Sequence, residues 1–370
     1  MARIVLERTG AMPGHGKAAA QEVRRKGDVG LMNWDEFIVV GENIHCSRIV
    51  KRGGSRTQPM PGGGEAVAFT RDGQKHLLPV PPDWEQRSAA FAEGKIKHVA
   101  LAIYQARHGT GEAQQAGEAY LAYLADRQIE SGARYLDVNV DEYSTDPVEV
   151  GEVMAYIARF LAERYATPLS IDSSNPQTLR IGLENCRTDA APPMLNSVSL
   201  ERIEAAELVN EFGAEVVVSA AGREGLPRDA DQRMANFREL VKQLDDAGIA
   251  RSKMHLDPLV LPVSTDSMNG RHFLDATARA RAEFAGVHLT GGLSNVSFGM
   301  PARKLLNLVF VYLCAEVGTD GGIIDPVATP VSAISQLEPD SEPFRLAKAV
   351  LTGEDMFGME YITAYREGRL

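Results

Sequence analysis

From residue 111 onward, apolar strand-like segments alternate with helical patterns almost without interruption, and parallel strands can be joined only through such crossover helices. The strand segments fall at 37–44, 134–140, 168–174, 194–200, 215–220, 254–263, 287–295 and 322–327. Helical patterns lie between them at 112–131, 147–165, 176–185, 201–212, 229–247, 271–284 and 301–316. Pro176 and Pro301 sit where a first helical turn tolerates proline, and Gly213 follows a helix end. The rhythm predicts an α/β chain folded as a (β/α)8 TIM barrel.

The apolar segments end alike, on Asp or Asn followed by small residues. The endings are Leu136-Asp137-Val138-Asn139, Ile171-Asp172-Ser173-Ser174, Leu195-Asn196-Ser197, Leu256-Asp257-Pro258 and Gly291-Gly292-Leu293-Ser294-Asn295-Val296-Ser297. Polar groups repeatedly placed at strand ends point to one pocket at the C-terminal mouth of the barrel, where this architecture builds active sites.

At 370 residues the chain can form one elaborated barrel, read here as a single domain over 1–370 with a helical segment at 331–370. With 44% hydrophobic and 24% charged residues, it has no apolar run near the roughly 20 residues that span a bilayer, so no membrane role and a cytoplasmic location are expected. The first residues, Met1 to Arg8, are interrupted by charge before a signal-peptide core could form. A net charge of -11 argues against nucleic acid as a partner. Cys46, Cys186 and Cys314 are far apart, which fits a reducing compartment and excludes a Cys-x-x-Cys motif; the scattered histidines offer no helical metal pair, so no metal site is expected. Cys46, after Gly41-Glu42-Asn43-Ile44-His45, is the one thiol whose exposure at a strand end would favour reactivity, and His45 reads as structural.

Residues 47–110 form an insertion after the first strand. Residues 51–64 read as a mobile loop and 83–106 as helical, and the insertion is expected to stand over the mouth. Residues 1–30 read as a packed extension. Within them, Gly10 to Ala18 only superficially suggests a phosphate loop, because the first glycine is misplaced and no Ser or Thr follows Lys17.

A pocket lined by Asp137, Asn139, Asp172, Asn196, Asp257 and Asn295 is rich in carboxylates and amides and shows no Lys or Arg cluster in the strand-end motifs. That chemistry suits a flat, hydrogen-bonding heterocycle better than a phosphate, since a carboxylate accepts from a ring N–H and an exocyclic amine together. The five strand-end motifs, in this order, resemble the pterin-binding family, and among its members the methyltetrahydrofolate:corrinoid/iron-sulfur protein methyltransferase and the folate domain of cobalamin-dependent methionine synthase. The resemblance implies that Asp172, Asn196 and Asp257 hydrogen-bond a pterin and that Asn295 sits near N5, the methyl-bearing atom. It implies that Gly292 and Ser294 line the same loop, that Ile323 packs on the ring, and that Asp137 and Asn139 support the others.

What the resemblance implies for chemistry is methyl transfer between a corrinoid and tetrahydrofolate, with Asn295 and Asp257 as the catalytic pair. N5 leaves poorly unless it gains positive character, so a proton or hydrogen bond must reach it. The Asp-x-His-x-x-Gly pattern that ligates cobalt is absent, which implies a separate corrinoid protein as partner; a homodimer is the expected assembly. Phe298-Gly299 and Asn43 depart from the residues that relatives tend to carry: the first would give the pocket a more apolar wall, and the altered first strand with the insertion points to a demethylation system. The rivals are a dihydropteroate synthase, whose closing Ser-x-Arg-x-x-His run is not found around 325–332, and a non-catalytic folate-binding subunit. A barrel lyase or aldolase would want a strand-end lysine, and none is present.

Overall fold

The computed structural model describes residues 33–61, 63–187, 189 and 191–370, so the expected 1–30 extension and its Gly10–Ala18 run lie outside the described residues. In chain order the strands are β1 (Ile38–His45), then β2 (Ile49–Lys51), β3 (Thr57–Pro59), β4 (Glu65–Arg71), β5 (Gln74–Pro79) and β6 (Lys95–Lys97) of the insertion. There follow β7 (Tyr135–Asn139), β8 (Leu169–Asp172), β9 (Met194–Val198), β10 (Glu215–Ser219), β11 (Met254–Asp257), β12 (His288–Leu289) and β13 (Gly321–Ile324).

Eight of these form one sheet in the order β12-β11-β10-β9-β8-β7-β1-β13, with every register parallel. A bridge between Gly292 and Ile323 joins its ends, with Ile323 N donating to the Gly291 carbonyl at 2.9 Å, so the expected barrel is closed. The crossover helices begin where the sequence signals them. Asp146 and Asn175 accept from the amides two residues on, ahead of Pro147 and Pro176 at the first helical positions.

Alternation along the strands sorts two apolar regions. Val39, Leu136, Ile171, Leu195 and Leu256 pack outward against the helices in the main core, while Val40, Tyr135, Met194, Val217 and Ile323 form a separate cluster inside the barrel. One step toward the N-terminal end, His255 bonds Glu215 at 2.6 Å and stacks on His288, which bonds Asp320 at 3.0 Å. One step toward the C-terminal end, the inward positions turn polar. The lumen is therefore layered, with an apolar disc between two polar ones.

Three expectations need correction. The segment 287–295 is not a continuous strand: β12 stops at Leu289, Gly291-Gly292 turn the chain, and Leu293–Ser297 is a 3-10 helix, so Asn295 stands on a helical turn past the strand. Pro301 precedes its helix, which starts at Arg303 after Ala302 at φ 44°. The insertion is neither a loop nor one helix. β3, β4 and β5 form an antiparallel sheet, β2 pairs with β6, and Trp84–Arg87 and Ala89–Ala92 are separate single turns divided by the extended Ser88, with a further helix at His98–His108.

Nor does its sheet stand over the mouth. Phe69 packs edge-on to Tyr120 at 4.9 Å, and Arg71 pairs with Asp126 at 3.0 Å, which fixes the sheet on the flank of the helix Glu112–Glu130. Among the described residues no helix is long and apolar enough to cross a membrane.

Candidate active site

The polar layer at the C-terminal end starts from β7, β8 and β9, whose registers set Asp137 beside Ser170 and Asp172 beside Asn139 and Asn196. Ser170 Oγ donates to Asp137 Oδ1 at 2.6 Å and Asn196 Nδ2 donates to the same oxygen at 3.3 Å. Asn139 Nδ2 donates to Asp172 Oδ2 at 2.9 Å. Burial, followed by the neighbouring Asp172 charge, pushes the Asp137 carboxyl well above the usual carboxylate range. Burial likewise pushes Asp172 up to about 6, against the stabilising Asn139 hydrogen bond.

Asp257 closes the ring from β11. Its Oδ1 accepts from Leu259 N at 2.7 Å, and the fully buried Arg233 donates to the carbonyls of Pro258 and Leu259, which holds the left-handed turn at Leu259. Burial again dominates, and Asp257 is pushed up to about 6 despite the Leu259 amide and the Arg233 charge. The two glycines that follow β12 are small because the site is tight. A Cβ on Gly291 would come within 2.9 Å of Phe273 and 3.1 Å of Asp257 Oδ1, and one on Gly292 within 2.8 Å of Asn295 Nδ2. The Gly–Gly turn thus lets the Asn295 amide and the Asp257 carboxyl approach the same backbone.

All the expected residues fall in or beside this mouth. Asp137, Asn139, Asp257 and Ser294 are buried; Asp172, Asn196 and Asn295 are half-buried; Ile323 belongs to the apolar disc beneath. Phe298, expected as an apolar wall, is instead 46% exposed and lies under the Arg303 guanidinium at 4.4 Å.

Several mouth residues are absent from that set. The register between β1 and β7 slips by one residue between Gly41 and Ile44, and this bulge presents both Glu42 and Asn43 to the mouth. Asn43 Nδ2 donates to Asp325 Oδ1 at 2.8 Å, and Arg48 joins Glu42 at 2.9 Å and Asp325 at 3.4 Å. Burial raises the Glu42 carboxyl, while Arg48 and the neighbouring Ser294 hydroxyl oppose the rise. Ser294 Oγ nevertheless has no partner at hydrogen-bond geometry among the described residues, so it faces Glu42 without being satisfied by it.

The expectation of a pocket without a Lys or Arg cluster also needs correction at the rim, which Arg48 and Arg202 reach from loops and Arg303 from the first position of its helix. Arg202 donates to Ser173 O and Ser197 Oγ and so ties the segments after β8 and β9, while Arg303 donates to Ser297 Oγ and Ser294 O and braces the helical turn after β12. Cys46 is fully buried and burial pushes its thiol up, which removes the basis for reactivity. His45 accepts from Ser47 and is held below the usual imidazole range by burial and by Arg48.

The arrangement offers buried acceptors from Asp172 and Asp257, amides from Asn196 and Asn295, and an apolar floor. Such a set grips a flat ring that carries several N–H groups and rejects one that leaves them unpaired.

Comparison with known proteins agrees with that chemistry. A methylcorrinoid:tetrahydrofolate methyltransferase from Eubacterium limosum is 28% identical over 262 residues, 70% of this chain and 91% of that one. A methionine synthase from Mycobacterium tuberculosis is 31% identical over 216 residues, 54% of this chain but 18% of that protein. A dihydropteroate synthase structure from Xanthomonas albilineans covers 62% of this chain and 85% of its own at 19% identity, with a TM-score of 0.47. The pterin binding enzyme family matches residues 111–325, from the first crossover helix to the end of the last barrel strand, and the chain belongs to that family.

Proposed function

We propose that this enzyme moves a methyl group between a corrinoid carried by another protein and N5 of tetrahydrofolate. One observation carries the reading most directly: the Asp257 carboxyl lies against Gly291 and the Asn295 amide against Gly292, at the open end of a ring of pterin-compatible acceptors and donors. The resemblance over nearly the full length of the E. limosum methyltransferase supports the same reaction.

In this reading Asp172, Asn196 and Asp257 accept from and donate to the pterin edge, while Ile323 packs beneath the ring. Gly292 and Ser294 line the loop beside it. Asp137 and Asn139 act through Asn196 and Asp172, which they orient by hydrogen bonds. The corrinoid supplies a cobalt-bound methyl position. Among the described residues His45 is engaged by Ser47 and His98 is buried, so the mouth offers no free imidazole as a cobalt ligand. In this reading the corrinoid belongs to a partner.

The residues of this chain manage charge at N5. When the methyl group arrives, N5 becomes a tetrahedral ammonium and must lose its proton; when the methyl group departs, N5 must gain positive character first. An amide is too weak an acid to protonate N5, so Asn295 stabilises the charged state by a hydrogen bond that strengthens as charge develops. Asp257, pushed up to about 6, is close enough to neutrality to exchange that proton directly or through one water.

The rim arginines do not favour the dihydropteroate synthase alternative, because Arg48 is paired with Glu42 and Asp325 while Arg202 and Arg303 are committed to loop oxygens. The test is transfer between methylcobalamin and tetrahydrofolate, followed by cobalamin absorbance. Transfer supports the reading; failure to bind any reduced pterin sinks it.

A further inference from the structure

Beside the mouth lies an open cleft of about 740 Å³ that the reading above does not use. One wall is the insertion sheet, a second is the helix Glu112–Glu130, and the third is the rim of the barrel at Asn43 and Asp325. The volume is in the range of about 300–1,000 Å³ that small-molecule sites occupy. The insertion wall precedes residue 111, where the family match starts.

Its guanidinium groups divide into two kinds. Arg48 is paired with Glu42 and Asp325, and Arg71 with Asp126. Arg56 and Arg127 instead end on phenols, donating to Tyr120 Oη at 2.6 Å and Tyr123 Oη at 2.8 Å. Each retains most of its donors for an incoming carboxylate, against Glu130 farther along the helix and Asp72 at the edge of the insertion sheet. Phe69 lies 5.3 Å from the Tyr123 ring, and the two give the cleft an aromatic side. His98, in the same wall, is held down to about 3 by burial and then by Arg56 and Arg48.

The cleft adjoins the mouth at the β1 bulge, where Glu42 faces Ser294 and its neighbour Asn43 lines the cleft. Asn43 is buried and its Oδ1 has no partner among the described residues, since Nδ2 is the atom spent on Asp325. A ligand crossing the rim at Asn43 with an N–H group would satisfy it.

We propose that this cleft receives the aminobenzoyl-glutamate tail of the folate whose pterin lies in the barrel, with the aryl ring against Phe69 and Tyr123 and the glutamate carboxylates on Arg56 and Arg127. The proposal rests on tetrahydrofolate being the substrate, and it makes the insertion a specificity element for conjugated folates.

The test compares binding of tetrahydrofolate, its triglutamate form and 6-methyltetrahydropterin, which lacks the tail, to wild type, Arg56→Ala, Arg127→Ala and the double variant, with thermal melting as a control for folding. Each single substitution weakens tetrahydrofolate by about fivefold to tenfold, as loss of one charge-assisted hydrogen-bonding group does, and leaves 6-methyltetrahydropterin within about twofold. The triglutamate form loses at least as much. The tail site is overturned if the double variant binds tetrahydrofolate as wild type does, or if both pterins weaken in proportion. Failure of wild type to bind either pterin overturns the substrate reading and the tail site together.

Discussion

Asn139 Nδ2 reaches Asp172 Oδ2 at 2.9 Å across the β7–β8 register, so a carboxylate at the mouth is aimed by an amide from the next strand. The pattern repeats one layer lower, where Asn196 and Ser170 converge on Asp137.

Truncating Asp137 to Ala leaves the Ser170 hydroxyl and the Asn196 amide unpaired in a buried layer. Urea denaturation should show a loss of roughly 2 to 4 kcal/mol, because each stranded buried donor costs its desolvation. Asp137→Asn should lose less, since its carbonyl can still accept.

Asn295→Ala should lower the methyl-transfer kcat by about tenfold or more while tetrahydrofolate still binds, since one well-placed donor to a developing charge is worth roughly 3 kcal/mol. Single-turnover absorbance kinetics with a parallel binding titration would separate the two effects. An unchanged kcat would remove Asn295 from the chemistry.

Gly292→Ala should reproduce much of that loss with little change in melting temperature. The backbone at Gly292 has φ -70°, which alanine adopts freely, but its Cβ would meet Asn295 Nδ2 at 2.8 Å. Activity and melting temperature measured on the same preparation check this.

The pH dependence follows from Asp257. Its folded carboxyl is pushed up to about 6 from an ordinary value of 3.8, so the native state holds the proton more tightly than the unfolded chain. The relative stability present below about pH 4 is lost as the pH rises through about 6, by about 3 kcal/mol at most. Asp257→Asn carries no such penalty: its melting temperature should exceed that of wild type at pH 8 and converge with it below pH 4, at the expense of activity.

Much of this architecture is written in short-range pattern. Apolar runs ending in Leu136-Asp137-Val138-Asn139 or Ile171-Asp172-Ser173-Ser174, each followed by a helix signal, suffice to place the barrel strands, because strand alternation and parallel pairing leave few other ways to bury them. What escaped depends on longer-range geometry. The β1 bulge that turns Glu42 and Asn43 to the mouth arises from a register slip against β7, and no local residue announces it. Arg48 and Arg202 come from loops and Arg303 from a helix start, and their direction is set by carbonyls on β1, after β8 and in the turn after β12. The insertion sheet was legible in principle. Asp72-Gly73, both at positive φ, make the two-residue turn between β4 and β5, a hairpin signal that stands in the sequence between Phe69-Thr70-Arg71 and Gln74-Lys75-His76.

The apolar disc of Val40, Met194, Val217 and Ile323 works as an electrical insulator. It separates the mouth carboxylates from the histidine pair at the base, so charge on Asp172 or Asp257 cannot be compensated from below. Beyond Arg233 beside Asp257 and Arg202 beside Asp172, compensation must come from whatever enters at the top. A ring bearing N–H donors then binds best to the ionised carboxylates, and its arrival should drive protons out to solvent near pH 6. Calorimetry in two buffers of different ionisation enthalpy would read that release as a difference in heat, making the barrel a device that couples occupancy to proton count.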